Sequence, residues 1–275
     1  MAAELEMQRV QESEIFRGFS TLLRKENRAW WRTRRWWVNA LVWTVLLCGL
    51  QANMLFVPTI AEMASEADIL RAGGLDEYIV SMGLNVLFEF GTTVVAIGAV
   101  VLSMDACITE RENGVCSWLL SKPAARRSYV LAKLAANLTA FLVLLIGLPS
   151  LIGYTMLSLK LGSLFPITPF LAGLGIMVLH VLFYLTLTIM LGIFFSRRIP
   201  VVAISLGSVL GGSLVGGFVR PLFHVTPWML PKLASLGASG QFNAVAFGSS
   251  AILASAAWTV IFTVAALWKF ERMDL

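Results

Sequence analysis

The chain has 275 residues, of which 58% are hydrophobic and only 13% are charged, and its formal net charge is +5. A soluble domain is about half apolar and about a quarter charged, so this composition excludes an ordinary soluble enzyme and indicates a membrane protein. Basic residues flank the apolar stretches instead of forming a separate face, which excludes nucleic-acid binding and assigns the excess charge to anionic lipid headgroups.

The first 35 residues form a polar tail that contains one amphipathic stretch. Within residues 14–30, apolar side chains such as Phe16, Phe19 and Leu23 recur at helical spacing, and basic side chains cover the remaining face. This pattern predicts a helix that lies parallel to the membrane surface. Such a helix is either a simple membrane anchor or a lever that also touches a cytoplasmic partner.

Six apolar runs follow the tail, and each is long enough for a helix to cross ~30 Å of hydrocarbon. Together with their connections they occupy nearly all of the remaining sequence. We therefore predict an all-α integral membrane fold with six transmembrane helices, in a single domain over residues 1–275. The runs cover residues 36–57, 79–104, 129–157, 168–195, 199–219 and 245–269.

The second run has a polar side. Asn85, Glu89 and Thr92 recur near one helical face, and Glu89 lies close to the middle of the bilayer. An ionisable group there costs at least ~2.5 kcal/mol and normally faces a cavity or a partner. His180 has a similar depth in the fourth run. It either pairs with Glu89 or is a neutral histidine bonded to the backbone of a neighbour.

The connection between the second and third runs, residues 105–128, is an island of charged and turn residues. Within it, Val115, Trp118 and Leu119 form a small apolar patch at helical spacing. An exposed apolar patch flanked by charges suits a docking helix, because the apolar side chains give affinity and the charges set register and partner choice. The alternative is that the patch lies on the membrane surface.

Turn signals and charges bound this patch on both sides. Asn113 and Gly114 predict a turn before it, and the proline that follows ends the helix. Acidic residues precede the patch and basic residues follow it. The residues outside the patch that we assign to this candidate docking site are Glu110, Arg111, Glu112, Gly114, Leu120, Ser121, Pro123, Arg126 and Arg127.

The fifth run is rich in glycine. Gly207 and Gly211 form one small-xxx-small repeat, and Gly212 and Gly216 form another. Such repeats let two helix backbones come close, either within the chain or between two copies of it. Residues 220–244, which follow, are apolar but broken by prolines and glycines, so we predict a short re-entrant element on the outer side.

The distribution of basic residues predicts the orientation. Most of the 21 lysines and arginines lie in the tail, in the connections after the second and fourth runs, and near the C-terminus. The exceptions are Arg71, Lys160, Arg220 and Lys232. Because positive charge tends to stay cytoplasmic, we predict that both termini and residues 105–128 face the cytoplasm.

The island resembles the signature of a known family. Glu110-Arg111-Glu112-x-Gly114, the segment Trp118-Leu119-Leu120-Ser121-x-Pro123, a basic pair and Leu131-Ala132-Lys133 are similar to the pattern of permease subunits of ATP-binding-cassette type-2 exporters. The chain departs from that pattern at Val115 and Cys116, where Thr-Leu is usual. The predicted spans, amphipathic helix and re-entrant element extend the resemblance to almost the whole chain.

The resemblance implies a function and partners. Two permease copies, identical or different, would form a dimer in the cytoplasmic membrane of a prokaryote, and each would bind one cytoplasmic ATPase through a coupling helix in residues 105–128. Closure of the ATPase pair would alternate access to a central path. In this chain Asn85, Phe88, Glu89 and Thr92 would line that path, which would suit an amphipathic or weakly cationic compound, and Gly207, Gly211, Gly212 and Gly216 would form the dimer interface.

The sequence also bears on cofactors and on catalysis. It has no Gly-Lys dipeptide and therefore no G-x-x-x-x-G-K-[ST] phosphate loop, so ATP and Mg²⁺ are expected on the partner ATPase and no cofactor on this chain. The cysteines Cys48, Cys107 and Cys116 have no zinc-like spacing and are interpreted as apolar fillers.

Two alternatives to a transporter stay open. An intramembrane enzyme would need a catalytic constellation at membrane depth, but Glu89 and His180 come without a serine elbow, a metal motif or paired aspartates. A non-transporting scaffold or mechanotransmission subunit would keep the coupling helix and an ATPase partner, and would use ATP without moving a substrate.

Overall fold

The computed structural model describes residues 16–57, 65–120, 125–215, 220–242 and 248–273. Across these ranges all regular structure is helical and no strand occurs, which confirms the all-α prediction. Within the same ranges, five helical stretches are long and apolar enough to cross a membrane. The helices are α1 (Phe19–Trp31), α2 (Arg35–Phe56), α3 (Glu66–Ala72), α4 (Leu75–Asn85), α5 (Gly91–Ser103), α6 (Ile108–Glu112), α7 (Val115–Leu120), α8 (Arg126–Phe141), α9 (Leu148–Leu161), α10 (Ile167–Phe194), α11 (Arg198–Val215), α12 (Leu230–Ala238) and α13 (Gly248–Glu271).

Two of the long stretches contain a π-helical turn. Val86–Phe90 joins α4 to α5, and Leu142–Gly147 joins α8 to α9. Each predicted run therefore corresponds to one continuous helical stretch, with ends that agree within a few residues. The fifth predicted run corresponds to α11, which is followed by residues outside the described ranges. The count of six spans accordingly stays a prediction.

The helix α10 is the centre of the bundle. It packs against α5, α11, α12 and α13, and most of its side chains are buried. One hydrophobic cluster near its C-terminal half joins Tyr129, Phe141, Leu185 and Phe270. This helix therefore joins the second half of the second span to the helices that follow it in the chain.

Helix ends and connections from distant parts of the sequence meet at one end of the bundle. There the backbone N–H of Ala125 donates to the Arg17 carbonyl over 2.9 Å, and Arg198 forms an ion pair with Asp105 over 3.0 Å. We call this the basic end, since it gathers the segments that the charge pattern predicts to be cytoplasmic.

The segment predicted to be re-entrant packs deep against α10. It consists of two short 3₁₀ turns, Arg220–His224 and Pro227–Met229, followed by α12. The residues Leu230, Leu233 and Ala234 of this segment are fully buried. This packing supports a re-entrant element, which remains a prediction, and residues 243 and 244 lie outside the described ranges.

Two glycines allow α10 and α12 to approach closely. A Cβ atom added to Gly173 would lie 2.5 Å from the Ala234 carbonyl oxygen and 2.7 Å from the Ala238 Cβ. Gly237 faces it from the other helix, with an added Cβ 3.5 Å from the Gly173 Cα. Neither obstacle at Gly173 is the far end of a flexible side chain, so a larger residue there would separate the helices.

Gly173→Ala is therefore expected to destabilise the chain by about 1–3 kcal/mol, the usual cost of overpacking. The matched control is Gly175→Ala in the same helix, because no atom lies within 4 Å of a Cβ added there. That control should be neutral or slightly stabilising, since alanine favours helix over glycine. Thermal unfolding in detergent measures both, and equal midpoints would contradict the close approach.

Candidate functional site

The charged connection folds as two short helices joined by a tight turn. Asn113 and Gly114 form the turn between α6 and α7, and Gly114 has a left-handed backbone with φ +68°, which glycine adopts without a Cβ penalty. The turn prediction is thus confirmed. Trp118 on α7, the helix that begins after this turn, is 59% exposed.

Glu110 of α6 is anchored inside the chain. Its carboxylate forms an ion pair with Lys133 over 2.9 Å and another with Lys25, and it accepts a hydrogen bond from the Tyr129 hydroxyl over 2.6 Å. Four polar groups therefore meet at one point. They connect α6 to α1 and to the start of α8.

Lys133 is the buried centre of this cluster, with only 2% of its side chain exposed. Its ammonium also pairs with Glu26 over 3.1 Å and lies 5.0 Å from the centre of the Tyr129 ring. The same ring stacks on Phe270 of α13, with the ring centres 4.9 Å apart. A buried ammonium needs such partners, because an unpaired charge in a protein interior is costly.

Arg111 connects α6 to the end of α10. Its guanidinium donates to the carbonyl oxygens of Gly192 and Ile193 over 2.7 Å and 3.1 Å, and also to that of Phe195. The last carbonyls of a helix have no partner within the helix and carry partial negative charge. Arg111 therefore caps the central helix of the bundle.

The start of α11 is bound to the same connection. Arg198 pairs with Asp105 over 3.0 Å and with Glu112 over 3.6 Å, and it donates to the Thr109 hydroxyl over 3.3 Å. The three residues Glu110, Arg111 and Glu112 thus contact three different parts of the bundle. Glu110 connects α6 to α1 and α8, Arg111 connects it to α10, and Glu112 connects it to α11.

The basic pair after the patch binds the C-terminal segment. Arg126 donates to the carbonyl oxygens of Glu271 and Met273 over 2.9 Å and 2.7 Å, and Arg127 pairs with the Glu271 carboxylate. Both arginines belong to the first turn of α8. Their contacts within the described residues are internal, so they position the connection.

Some predicted docking residues are only partly described. Ser121 and Pro123 lie outside the described residues, and for Leu119 and Leu120 the structure gives the helical backbone of α7 alone. Cys116, on the same helix, is fully buried, and burial raises the pKa of its thiol. The thiol therefore stays protonated near neutral pH, consistent with an apolar filler.

The sequence did not single out Lys25, Glu26 and Tyr129 as site residues, although the structure places all three around Glu110. The available signal was Lys133, the lysine of the Leu131-Ala132-Lys133 motif inside a predicted span. A lysine at that depth requires an anionic partner, but local spacing does not identify a partner about twenty or one hundred residues away.

The four residues predicted to line the path do not share one environment in the structure. Asn85 and Glu89 are exposed, but Phe88 and Thr92 are fully buried inside the chain. The reason is the π-helical turn Val86–Phe90, which adds one residue to a turn and rotates the helix beyond it by about 100°. Spacing for a regular α-helix therefore fails across this segment.

Glu89 and His180 do line one cavity, together with Trp228 and Lys232. They form no ion pair with each other within the described residues, so of the two alternatives for His180, direct pairing with Glu89 is not found. His180 is 2% exposed and packs edge-on against Tyr184, with ring centres 5.0 Å apart. The carbonyl of Pro227 lies near the imidazole.

The glycines of α11 divide between two environments. A Cβ on Gly212 would lie 2.6 Å from the Trp228 side chain of the same chain, and one on Gly211 would lie 3.6 Å from it. Gly207 is exposed, with no atom within 4 Å, and Gly216 lies outside the described residues. Packing against Trp228 within the chain therefore explains Gly212, and the assignment of these glycines to a subunit interface stays a prediction.

No group of three or more possible metal-binding side chains occurs within the described ranges. A family model described as ABC-2 family transporter protein matches residues 20–275. No curated protein matches the chain. The matched segment covers nearly all of the sequence and includes every helix described above except the first residue of α1. The chain therefore belongs to the ABC-2 family of transporter proteins, as a multi-pass transmembrane permease subunit.

Proposed function

We propose that this subunit carries a substrate out across the cytoplasmic membrane, powered by a separate ABC ATPase that binds the exposed surface of α7. Membership in the family implies an ABC ATPase partner in general. The observation that supports this docking site is the exposure of Trp118 on a short helix whose neighbour α6 is ion-paired to the bundle. Exposed tryptophans of this kind often dominate the energy of an interface.

The contacts of α6 suggest how movement would pass from the ATPase to the spans. A displacement of α7 acts on α6 through the two-residue turn at Asn113 and Gly114. Since α6 is held at several points by charge-assisted hydrogen bonds, it moves as a unit with its partners. Glu110 would move α1 and α8, and Arg111 would move α10.

The complete transporter would contain two permease copies, identical or different, and two ATPase copies. An exposed strip of α11 supports a second copy at this face: Ala203 and Gly207 are small, and Ile204 and Leu210 are apolar and 44% and 51% exposed. Small residues at helical spacing allow two such helices to approach closely in a membrane. ATP and Mg²⁺ would bind to the ATPase copies.

The central path would follow the exposed side of the second span at Asn85 and Glu89. Asn85 accepts a hydrogen bond from the Ser235 hydroxyl of α12, so the path would border the predicted re-entrant element. A membrane-embedded carboxylate is rare and typically functional. Alternating access requires this surface to change its exposure during the ATP cycle.

An accessibility measurement tests the proposal. In vesicles that contain the permease and its cognate ATPase, Asn85→Cys should react with a membrane-impermeant maleimide at different rates with ADP and with ATP plus vanadate. The native cysteines Cys48, Cys107 and Cys116 are buried and should contribute little. ATP hydrolysis without any change in the reaction rate would contradict transport and favour a non-transporting scaffold.

A further inference from the structure

The cavity beside Glu89 has features of a ligand site. Its volume is about 260 Å³, and it lies between the second span, α10, α11, the turn Pro227–Met229 and the start of α12. Pockets for drug-sized ligands usually measure about 300–1,000 Å³, so this one suits a small polar group. Its polar lining comprises Glu89, Thr93, His180 and Lys232, and the Trp228 indole forms one wall.

His180 is the first reason to expect a ligand. The residue is 2% exposed, and neither ring nitrogen makes a hydrogen bond to a described residue, although the Pro227 carbonyl lies near. Buried polar atoms in folded proteins nearly always have a partner. A neutral imidazole has one N–H donor and one acceptor nitrogen. The Pro227 carbonyl can accept only from the N–H, so the acceptor nitrogen has no donor among the described residues.

The two charged residues are the second reason. Glu89 and Lys232 are exposed, line the same cavity and carry opposite charges. The ion pairs of the described residues include neither of them. The cavity therefore offers two acceptors, at Glu89 and His180, and a separate cationic donor at Lys232.

We propose that this cavity binds a small zwitterionic group, with a primary ammonium held by Glu89 and His180 and an anionic phosphate at Lys232. A primary ammonium has three N–H donors, which satisfy both acceptors, whereas a quaternary ammonium has none. The headgroup of an aminophospholipid and a free amino-phosphate share this chemistry. The assignment of this ligand as the cargo rests on the proposed transport function.

Binding to the purified permease, without the ATPase, tests the site. Calorimetry with phosphoethanolamine and phosphocholine compares a primary with a quaternary ammonium, and native mass spectrometry from phosphatidylethanolamine or phosphatidylcholine nanodiscs makes the same comparison for lipids. In at least one of these two pairs, we expect the compound with the primary ammonium to bind at least about tenfold more tightly than the one with the quaternary ammonium. The reason is that hydrogen bonds to charged groups are among the strongest.

Variants then assign the contacts. Glu89→Gln and Lys232→Gln should each weaken binding about tenfold or more. The matched controls Glu66→Gln and Lys160→Gln alter residues outside the cavity and should leave the affinity within about twofold. His180→Phe keeps a ring against its neighbours but removes both nitrogens, so it should also weaken binding. An unchanged elution volume in size-exclusion chromatography checks that this variant is folded.

The outcomes separate the possibilities. Preference for phosphatidylethanolamine alone identifies a lipid headgroup, whereas binding of free phosphoethanolamine identifies a soluble source; both support the site. No binding of either primary-ammonium probe, equal affinity for phosphocholine, or insensitivity to Glu89→Gln and Lys232→Gln overturns it. Binding without any ATP-dependent change at Asn85→Cys would contradict the proposed transport function and leave the site intact.

Discussion

Trp118→Asp is expected to reduce the affinity of the permease for its ATPase by about thirtyfold or more while the protein stays in the membrane. The tryptophan is exposed on α7, and loss of a central interface tryptophan typically costs 2 kcal/mol or more. Co-purification of a tagged ATPase from detergent extracts measures the effect. Leu119→Asp, the adjacent substitution on the same helix, should have a similar effect.

Two controls accompany this prediction. Trp118→Phe keeps an aromatic side chain and should restore most of the binding. Leu70→Asp replaces a leucine that is 80% exposed on α3, away from the basic end, and should leave the ATPase bound. Undiminished capture of the ATPase by Trp118→Asp would show that α7 is not the docking surface.

Lys133→Met is expected to destabilise the permease by about 3–5 kcal/mol, because it leaves the carboxylates of Glu26 and Glu110 close together without their buried cation. The lysine pairs with them over 3.1 Å and 2.9 Å. Thermal unfolding in detergent should show a clear drop in the midpoint. The variant should also change the rate of ATP hydrolysis by the bound ATPase less than the unaltered permease does, because α6 loses its main contact with α8.

The matched control is Lys160→Met. Lys160 pairs with Asp76 over 3.2 Å, but the Asp76 side chain is 71% exposed, and exposed pairs contribute about 0–1 kcal/mol. The double variant Lys133→Met with Glu110→Gln should recover part of the stability, because it also removes one stranded charge. If the unfolding midpoint of Lys133→Met lay within about one degree of the midpoint of Lys160→Met, the structural role of the cluster around Lys133 would be contradicted.

The long helices could be predicted from the sequence because lipid imposes a simple requirement. A helix that crosses hydrocarbon needs about twenty apolar residues, and the run 168–195 accordingly coincides with Ile167–Phe194. The π-helical turn at Val86–Phe90 has no such compositional signal. It depends on tertiary packing, so the placement of Thr92 beside Glu89 failed although each residue was assigned to the correct helix.

The candidate site was only partly predictable for a related reason. The turn at Gly114 and the exposure of Trp118 follow from local sequence, and both agree with the structure. The partners of Glu110 come from α1 and α8, and those of Arg111 from the end of α10. Contacts over such separations depend on how the helices pack, which spacing along one helix does not reveal.

Site-specific photo-crosslinking tests most directly whether a separate ATPase binds the surface of α7. A photoreactive amino acid replaces Trp118, and the same substitution at Leu70 serves as the reference. If our account is correct, illumination of membranes that contain both proteins links position 118 to the ATPase, and links position 70 to no ATPase. An adduct with the ATPase at position 70 but not at position 118 would contradict it.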